Sequence, residues 1–313
     1  MCEVDDMTEW KLNTPVAFVI FNRPDTTRQV FAEIAKARPS KLLVVGDGPR
    51  PNRSGEATRC AAARAVIERV DWDCEVLTNY SEVNLGCKRR VSSGLDWVFN
   101  TVEEAIVLED DCLPHPSFFR YCEELLKKYK NEERIAQISG VNFQFGRRRS
   151  EYSYYFSRYN HIWGWASWRR AWRHYDVGIS SWPELRRGEW LETWIGDRRG
   201  GKYWRGIFDR VSSGEIDTWD YQWTFACWRQ EALTILPEAN LISNIGFGSD
   251  ATHLSSVNEF ARMDLGALQF PLRHPPCIER NSGADAFTDR RHYGIRPLAY
   301  RALARLWRVA HGL

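Results

Sequence analysis

Short, unbroken apolar runs alternate along the first half of the chain with stretches whose apolar residues recur every three or four positions. Val16 to Phe21 (VAFVIF), Lys41 to Val45 (KLLVV), Cys74 to Leu77, Ala105 to Leu108 and Ile135 to Ser139 read as strands. Between them, 25–37 has helical spacing through Val30, Phe31 and Ile34. Helices are also predicted over 56–70, over 89–100 with Val91, Leu95, Val98 and Phe99 on one side, and over 116–130. Fully apolar strands separated by helices predict an α/β protein with a Rossmann-like, mostly parallel central sheet covered by helices on both faces. Ligands of such sheets sit beyond the carboxyl ends of the strands. Four predicted strands end in polar or glycine-containing turns, namely Asn22-Arg23-Pro24, Gly46-Asp47-Gly48, 79–86 and Glu109-Asp110-Asp111. A nucleotide lying across their common edge would find groups for a base, a ribose and a diphosphate.

The alternation stops near residue 143. Eleven of the fifteen tryptophans fall between Trp163 and Trp228, in a segment otherwise polar and rich in arginine. Two lobes of one domain are expected: an N-terminal tail over 1–13, a nucleotide lobe over 14–142, an aromatic-lined acceptor lobe over 143–256, and a C-terminal extension over 257–313. At helical spacing Trp165, Trp168 and Trp172 make one stripe and Trp219 and Trp223 another, so most of these indoles are assigned to a core. The basic tripeptide Arg147-Arg148-Arg149 reads as a solvated loop tip.

Composition narrows the class without naming a ligand. The 313 residues are 43% hydrophobic and 27% charged, with a formal net charge of +2, which favours neither nucleic acid nor an acidic partner. Cys2, Cys60, Cys74, Cys87, Cys112, Cys122, Cys227 and Cys277 are scattered with no C-x-x-C pair, which fits reduced thiols rather than a disulfide frame or a zinc site. Glu3, Asp5 and Asp6 precede any apolar segment, and no run reaches the roughly 18 apolar residues of a membrane span, so a cytoplasmic protein is expected. The stretch 294–313 interleaves leucines, alanines, Tyr300 and Trp307 with Arg296, Arg301, Arg305 and Arg308. It predicts a basic amphipathic helix after Pro297, suited either to peripheral contact with an anionic bilayer or to packing on protein.

The densest candidate chemistry is the acid triplet Glu109-Asp110-Asp111 at the end of a buried strand. Crowded carboxylates repel and resist desolvation, and a bound Mg²⁺ or Mn²⁺ relieves both penalties while leaving positions open for phosphate oxygens. The competing reading is a solvated turn. Lys88, Arg89 and Arg90 open a helix after Gly86, so free amides and at least one cation can face a diphosphate.

The order of apolar strand, Asn22-Arg23, second strand with Asp47, Asn84-Leu85-Gly86, helix, strand and Glu109-Asp110-Asp111 resembles the nucleotide-diphosphosugar glycosyltransferases of the A-type fold. Within them it is similar to a bacterial family-two-like, hemolysin-related group, and more distantly to N-acetylglucosaminyltransferase I. The likeness spans about residues 14 to 256. It implies that Asn22, Arg23 and Asp47 contact base and ribose and that Asn84, Gly86, Lys88, Arg89 and Asp110 line the donor site. It further implies that Glu109, Asp111 and His253 serve a Mn²⁺ or Mg²⁺ ion. The segment around Trp219-Asp220 resembles the helix start that carries the general base of inverting members, which makes Asp220 the expected base and Asp217 its competitor. Trp163-Gly164-Trp165, with Trp219, resembles the turn that shapes the sugar pocket, where indole faces suit the C–H faces of sugars.

The expected activity is transfer of a sugar from a nucleotide diphosphosugar, UDP-linked by expectation, to a hydroxyl of a glycan or lipid-linked glycan. Two competitors stand beside it. One is a sugar-nucleotide nucleotidyltransferase, which needs a glycine-rich basic loop after the first strand where this chain has Asn22-Arg23-Pro24-Asp25. The other is a non-catalytic glycan-binding protein.

Overall fold

The structure, a computed structural model, describes residues 10–246, 259–260 and 263–295. The predicted helix after Pro297 and the candidate ligand His253 lie outside the described residues. The first half runs β1 (Val16–Ile20), α1 (Pro24–Ala37), β2 (Lys41–Gly46), α2 (Glu56–Arg64), β3 (Glu75–Tyr80), α3 (Gly86–Thr101), β4 (Glu104–Glu109), β5 (Cys112–Pro114), α4 (Ser117–Lys128) and β6 (Ile135–Ser139). The second half adds β7 (Tyr154–Ser157), β8 (Trp165–Trp168), α5 (Arg169–Trp172), α6 (Trp182–Leu185), α7 (Trp190–Ile195) and α8 (Arg198–Ser212). It closes with α9 (Asp220–Arg229), β9 (Leu233–Pro237), β10 (Ile242–Asn244) and α10 (Ser282–Arg291).

Eight strands form one sheet in the order β3-β2-β1-β4-β8-β6-β9-β7. β1 pairs in parallel with β2 and β4, β2 with β3, and β6 with β9, while β8 and β7 run against their neighbours. The mostly parallel α/β sheet expected from the alternation is therefore present. β6 precedes residue 143 and β7, β8 and β9 follow it, so the compositional shift does not interrupt the sheet.

Side-chain alternation explains the layers. Val16, Phe18, Ile20, Leu42, Val44, Ile106 and Leu108 share one face with α1 and α4 residues such as Val30, Ile34 and Leu125. Ala17, Val19, Leu43, Val45, Ala105 and Val107 share the other with Val91 and Leu95 of α3. The tryptophan-rich segment builds the outer wall of this second face. Trp165, Trp172, Trp182, Trp204, Trp219, Trp223 and Trp228 are all buried there.

Two local predictions are corrected, and two helices lie outside the predicted elements. The helix expected over 56–70 stops at Arg64 and resumes as a 3₁₀ turn over Ile67–Arg69. Trp165 and Trp168 belong to a strand rather than a helical stripe. A separation of three in a strand sends them to opposite faces, and only Trp165 joins Trp172 in the second core. Finally, α8 and α10 were not foreseen, although each opens on a capping side chain: Asp197 accepts from the Gly200 amide and Asn281 from the Ala284 amide, both at 2.9 Å.

Candidate active site at the carboxyl edge of the sheet

The parallel register brings four strand exits to one edge. Ile20 lies opposite Gly46, Gly46 opposite Tyr80, and Val19 opposite Glu109. The turns after β1, β2, β3 and β4 therefore sit side by side. β8 runs the other way, pairing Trp165 with Val107 of β4 and with Ser139 of β6, so the turn that precedes it reaches the same edge. At that turn Gly164 has φ +61°, and a Cβ there would overlap Ile242 and press on Leu108.

Arg23 sits directly on the acid triplet. Its Nη1 donates to Asp111 Oδ2 at 2.7 Å and lies 3.6 Å from Asp110 Oδ1. Asp110 turns its other oxygen inward, where it accepts from the Phe21 amide at 3.0 Å. Burial opposes the charge on Arg23, but Asp110 and Asp111 outweigh it and raise its pKa. Among the described residues, this one guanidinium does not balance three acids. Burial first, then the neighbouring carboxylates, pushes the Glu109 and Asp110 carboxyls well above the usual carboxylate range. Glu109 keeps part of its surface accessible, whereas Asp110 is buried.

Asp220, the first residue of α9, lies within electrostatic reach of Glu109 and contributes to that upward shift. Its Oδ1 accepts a short hydrogen bond from the Thr218 hydroxyl. Cys87, in the first turn of α3, lies within electrostatic reach of several of these acids: burial, then Glu109, Asp220, Asp217 and Asp47, pushes its thiol up to about 12. Nothing in the spacing of the cysteines marks Cys87 out.

The far side is closed by the return of β10. It pairs antiparallel with β5, the Ile245 amide donates to the Asp111 carbonyl at 2.8 Å, and a Cβ on Gly246 would collide with the Asp111 carboxylate. Gly246 itself thus lies against the Asp111 carboxylate. Among the described residues no group of three or more His, Cys, Asp or Glu side chains already converges as a metal-binding set.

Several expected ligand-binding residues are engaged by the chain itself. Asp47, 6% exposed, accepts from the Gly48 and Leu85 amides (both 2.9 Å), from the Gly86 amide (3.1 Å) and from Asn84 Nδ2 (3.0 Å). It is a strut between two turns, with Asn84 and Gly86 as its partners, and both of its oxygens are occupied. Asn22 Nδ2 donates to Glu56 Oε1 at 2.8 Å. Glu56 is fully buried and also accepts from the Arg50 amide and guanidinium; Arg50 foremost holds its carboxyl down at about 2.

The three basic residues after Gly86 separate. Arg90 is buried and donates to the carbonyl and side chain of Asn79, both at 2.6 Å, while Arg89 is exposed. Lys88 is half-buried, and among the described residues no hydrogen bond or ion pair engages its ammonium. The indoles separate too. Trp165 and Trp219 are 0% and 2% exposed and stack on each other with ring centroids 6.0 Å apart, so in this structure they pack the core instead of lining a pocket. Trp163 retains surface, with its ring edge-on to Phe143.

No protein-family model matches the chain, and no curated protein matches it by sequence. Solved structures similar to it include UDP-glucose pyrophosphorylase complexed with UDP-glucose, at 11% identity and TM-score 0.33 over 72% of this chain and 90% of that one. The apo form of UDP-glucose pyrophosphorylase gives 10% identity and TM-score 0.34 over 71% and 90%. The 4-diphosphocytidyl-2C-methyl-D-erythritol synthase from Anaerococcus prevotii DSM 20548 gives 8% identity and TM-score 0.36 over 71% and 88%.

Proposed function

We propose that the chain binds a nucleotide diphosphosugar, UDP-linked in the first instance, across the strand exits and transfers its sugar to a hydroxyl of a glycan or lipid-linked glycan. The observation that supports this reading is that Asp220, at the start of α9, lies within electrostatic reach of Glu109 at the end of β4. One carboxylate thus stands near the crowded acidic cluster but on a separate element.

The residues present fit a divalent cation. Three acids against one guanidinium leave a buried surplus of negative charge, and a cation held by Glu109 and Asp111 with Asp110 beside it would relieve that surplus. When bound, it would neutralise charge on the departing diphosphate. The rest falls to the chain. Asp220, held by Thr218, takes the proton of the acceptor hydroxyl as its oxygen attacks the anomeric carbon, and the sugar configuration inverts. Lys88 and the amides opening α3 face the diphosphate. Trp163 offers an indole face to a sugar, and Arg23 is exchanged between the acids and the donor.

Asp220→Asn tests the assignment. Transfer from UDP-sugar should fall by about 10²-fold or more while UDP binding is kept. Unchanged turnover sinks Asp220 as the base, and UDP-sugar binding without any transfer in the wild type favours a glycan-binding protein. Nucleotidyl transfer, the class named for the pyrophosphorylases above, is the second reading. Arg23 favours it, as a cation delivered directly after β1, whereas the glycine-free turn Phe21-Asn22-Arg23-Pro24 does not. Release of pyrophosphate from a nucleoside triphosphate and a sugar 1-phosphate, with no sugar transfer from the nucleotide sugar, would decide for it.

A further inference from the structure

A cavity of about 300 Å³ lies at the opposite, amino edge of the sheet, away from the acids. Arg134 immediately precedes β6, and Arg170 and Arg173 follow β8, which ends at this edge because it runs antiparallel to β4 and β6. The floor is apolar and buried, made by Ala136, Ala171, Trp223 and Cys227. The mouth is polar, with Arg134, Arg170, Arg173, His174 and one acid, the exposed Glu133.

The cations at the mouth are not equivalent. Arg134 is committed to Glu132 by two side-chain hydrogen bonds of 2.8 Å. Arg170 sits over the Trp168 ring, its Cζ 4.2 Å from the centroid, and it donates to the carbonyls of Lys130, Ile135 and Tyr129 at 2.8, 2.9 and 2.9 Å. Those bonds use three of its five N–H groups and fix the plane of the guanidinium without neutralising it. Among the described residues no carboxylate forms an ion pair with Arg170 or Arg173. Arg173 Nε lies 3.3 Å from His174 Nε2, and burial followed by the Arg173 charge lowers the imidazole's pKa. Two guanidiniums, one of them preoriented and neither in a direct ion pair among the described residues, therefore face a cavity with an apolar floor, with Glu133 and Glu132 as the acids within electrostatic reach of Arg170.

We infer that this cavity binds a small phosphomonoester, with the phosphate between Arg170 and Arg173 and the carbon skeleton against Ala136, Ala171 and Trp223. A phosphomonoester carries about −1.5 to −2 charges at neutral pH, which two guanidiniums match and a single carboxylate does not. The volume leaves room for a few carbon atoms beside the phosphate. α9 carries Asp220 at one end and Trp223 and Cys227 further along, so the ligand would contact the helix that bears the candidate base.

Titration calorimetry of the full chain with glycerol 3-phosphate at low ionic strength tests the inference, in the wild type, Arg173→Glu, Arg173→Gln and Lys88→Glu. Arg173 is exposed, so its replacement leaves the core untouched. Saturable binding should weaken about tenfold or more in both Arg173 variants and persist in Lys88→Glu, and inorganic phosphate should bind more weakly than the ester. The inference is overturned by absence of saturable binding, by equal affinity in the Arg173 variants, or by loss of binding in Lys88→Glu alone. That last result would place the phosphate at the strand-exit site.

Discussion

Asp47→Ala separates a structural strut from a nucleotide ligand. The carboxylate gathers four donors, three of them backbone amides of Gly48, Leu85 and Gly86, at a position 6% exposed. A hydrogen bond to a charged group contributes about 1.5–3 kcal/mol net, and a buried donor left unpaired costs about 1–3 kcal/mol. The four do not add, because they share one carboxylate and the exposed turn around Leu85 regains water once it opens. The expected loss is about 3 kcal/mol for Asp47→Ala and about half of that for Asp47→Asn, which keeps one acceptor oxygen. Urea unfolding at pH 7 should show the midpoint falling with little change in slope, and hydrogen exchange should accelerate at the Leu85 and Gly86 amides. A loss below about 0.5 kcal/mol, within the range of an ordinary surface change, would refute the strut.

The other predictions concern the acids and the two close approaches. In metal-free protein the raised carboxyl pKa values of Glu109 and Asp110 mean that these two groups bind more protons folded than unfolded, so their contribution to stability falls as pH rises from about 4 towards neutrality, while buried His161 and His292, with lowered pKa values, contribute in the opposite sense. Comparing the thermal unfolding of wild type and Glu109→Gln isolates the acid: the difference should turn against the wild type as pH rises, and a difference independent of pH contradicts the raised Glu109 carboxyl. Glu56→Gln should cost about 2 kcal/mol at pH 7. Because the Glu56 pKa is lowered to about 2, its contribution is complete above the ordinary carboxylate range and lost as pH falls towards that value, so the penalty should shrink in acid. Gly164→Ala should destabilise by about 3 kcal/mol, from the left-handed backbone and the overlap with Ile242, and Ile242→Ala should partly suppress it. Simple additivity in the double variant would show that the two do not touch.

What could be read from the sequence was what depends on local pattern. The runs at Val16, Lys41 and Ala105 report strands because each is buried on both faces, and their polar exits had to converge once the strands were parallel. The tryptophan segment was harder, since an indole every third or fourth position suits a helix and a strand-to-helix junction alike; Trp168 fell on the wrong face for that reason. Partners distant in sequence were invisible. No local signal says that Asp47 grips 84–86, that Asn22 is claimed by Glu56, or that Arg23 lies on Asp111. The proximity of Asp220 to Glu109 was expected only through the resemblance, and it arises because the sheet continues through β8 to the wall that carries α9.

The reversed β8 has a consequence for how such an edge can diversify. The exits of β1 to β4 are fixed by register, whereas the turn before β8 enters the edge from a segment that crosses the sheet after β7, and α6, α7 and α8 lie in the long excursion between β8 and α9. Lengthening or repacking that excursion leaves every strand pairing intact. Change in what the second half recognises is thereby decoupled from the register that assembles the acids, and a new partner can be accommodated without refolding the edge.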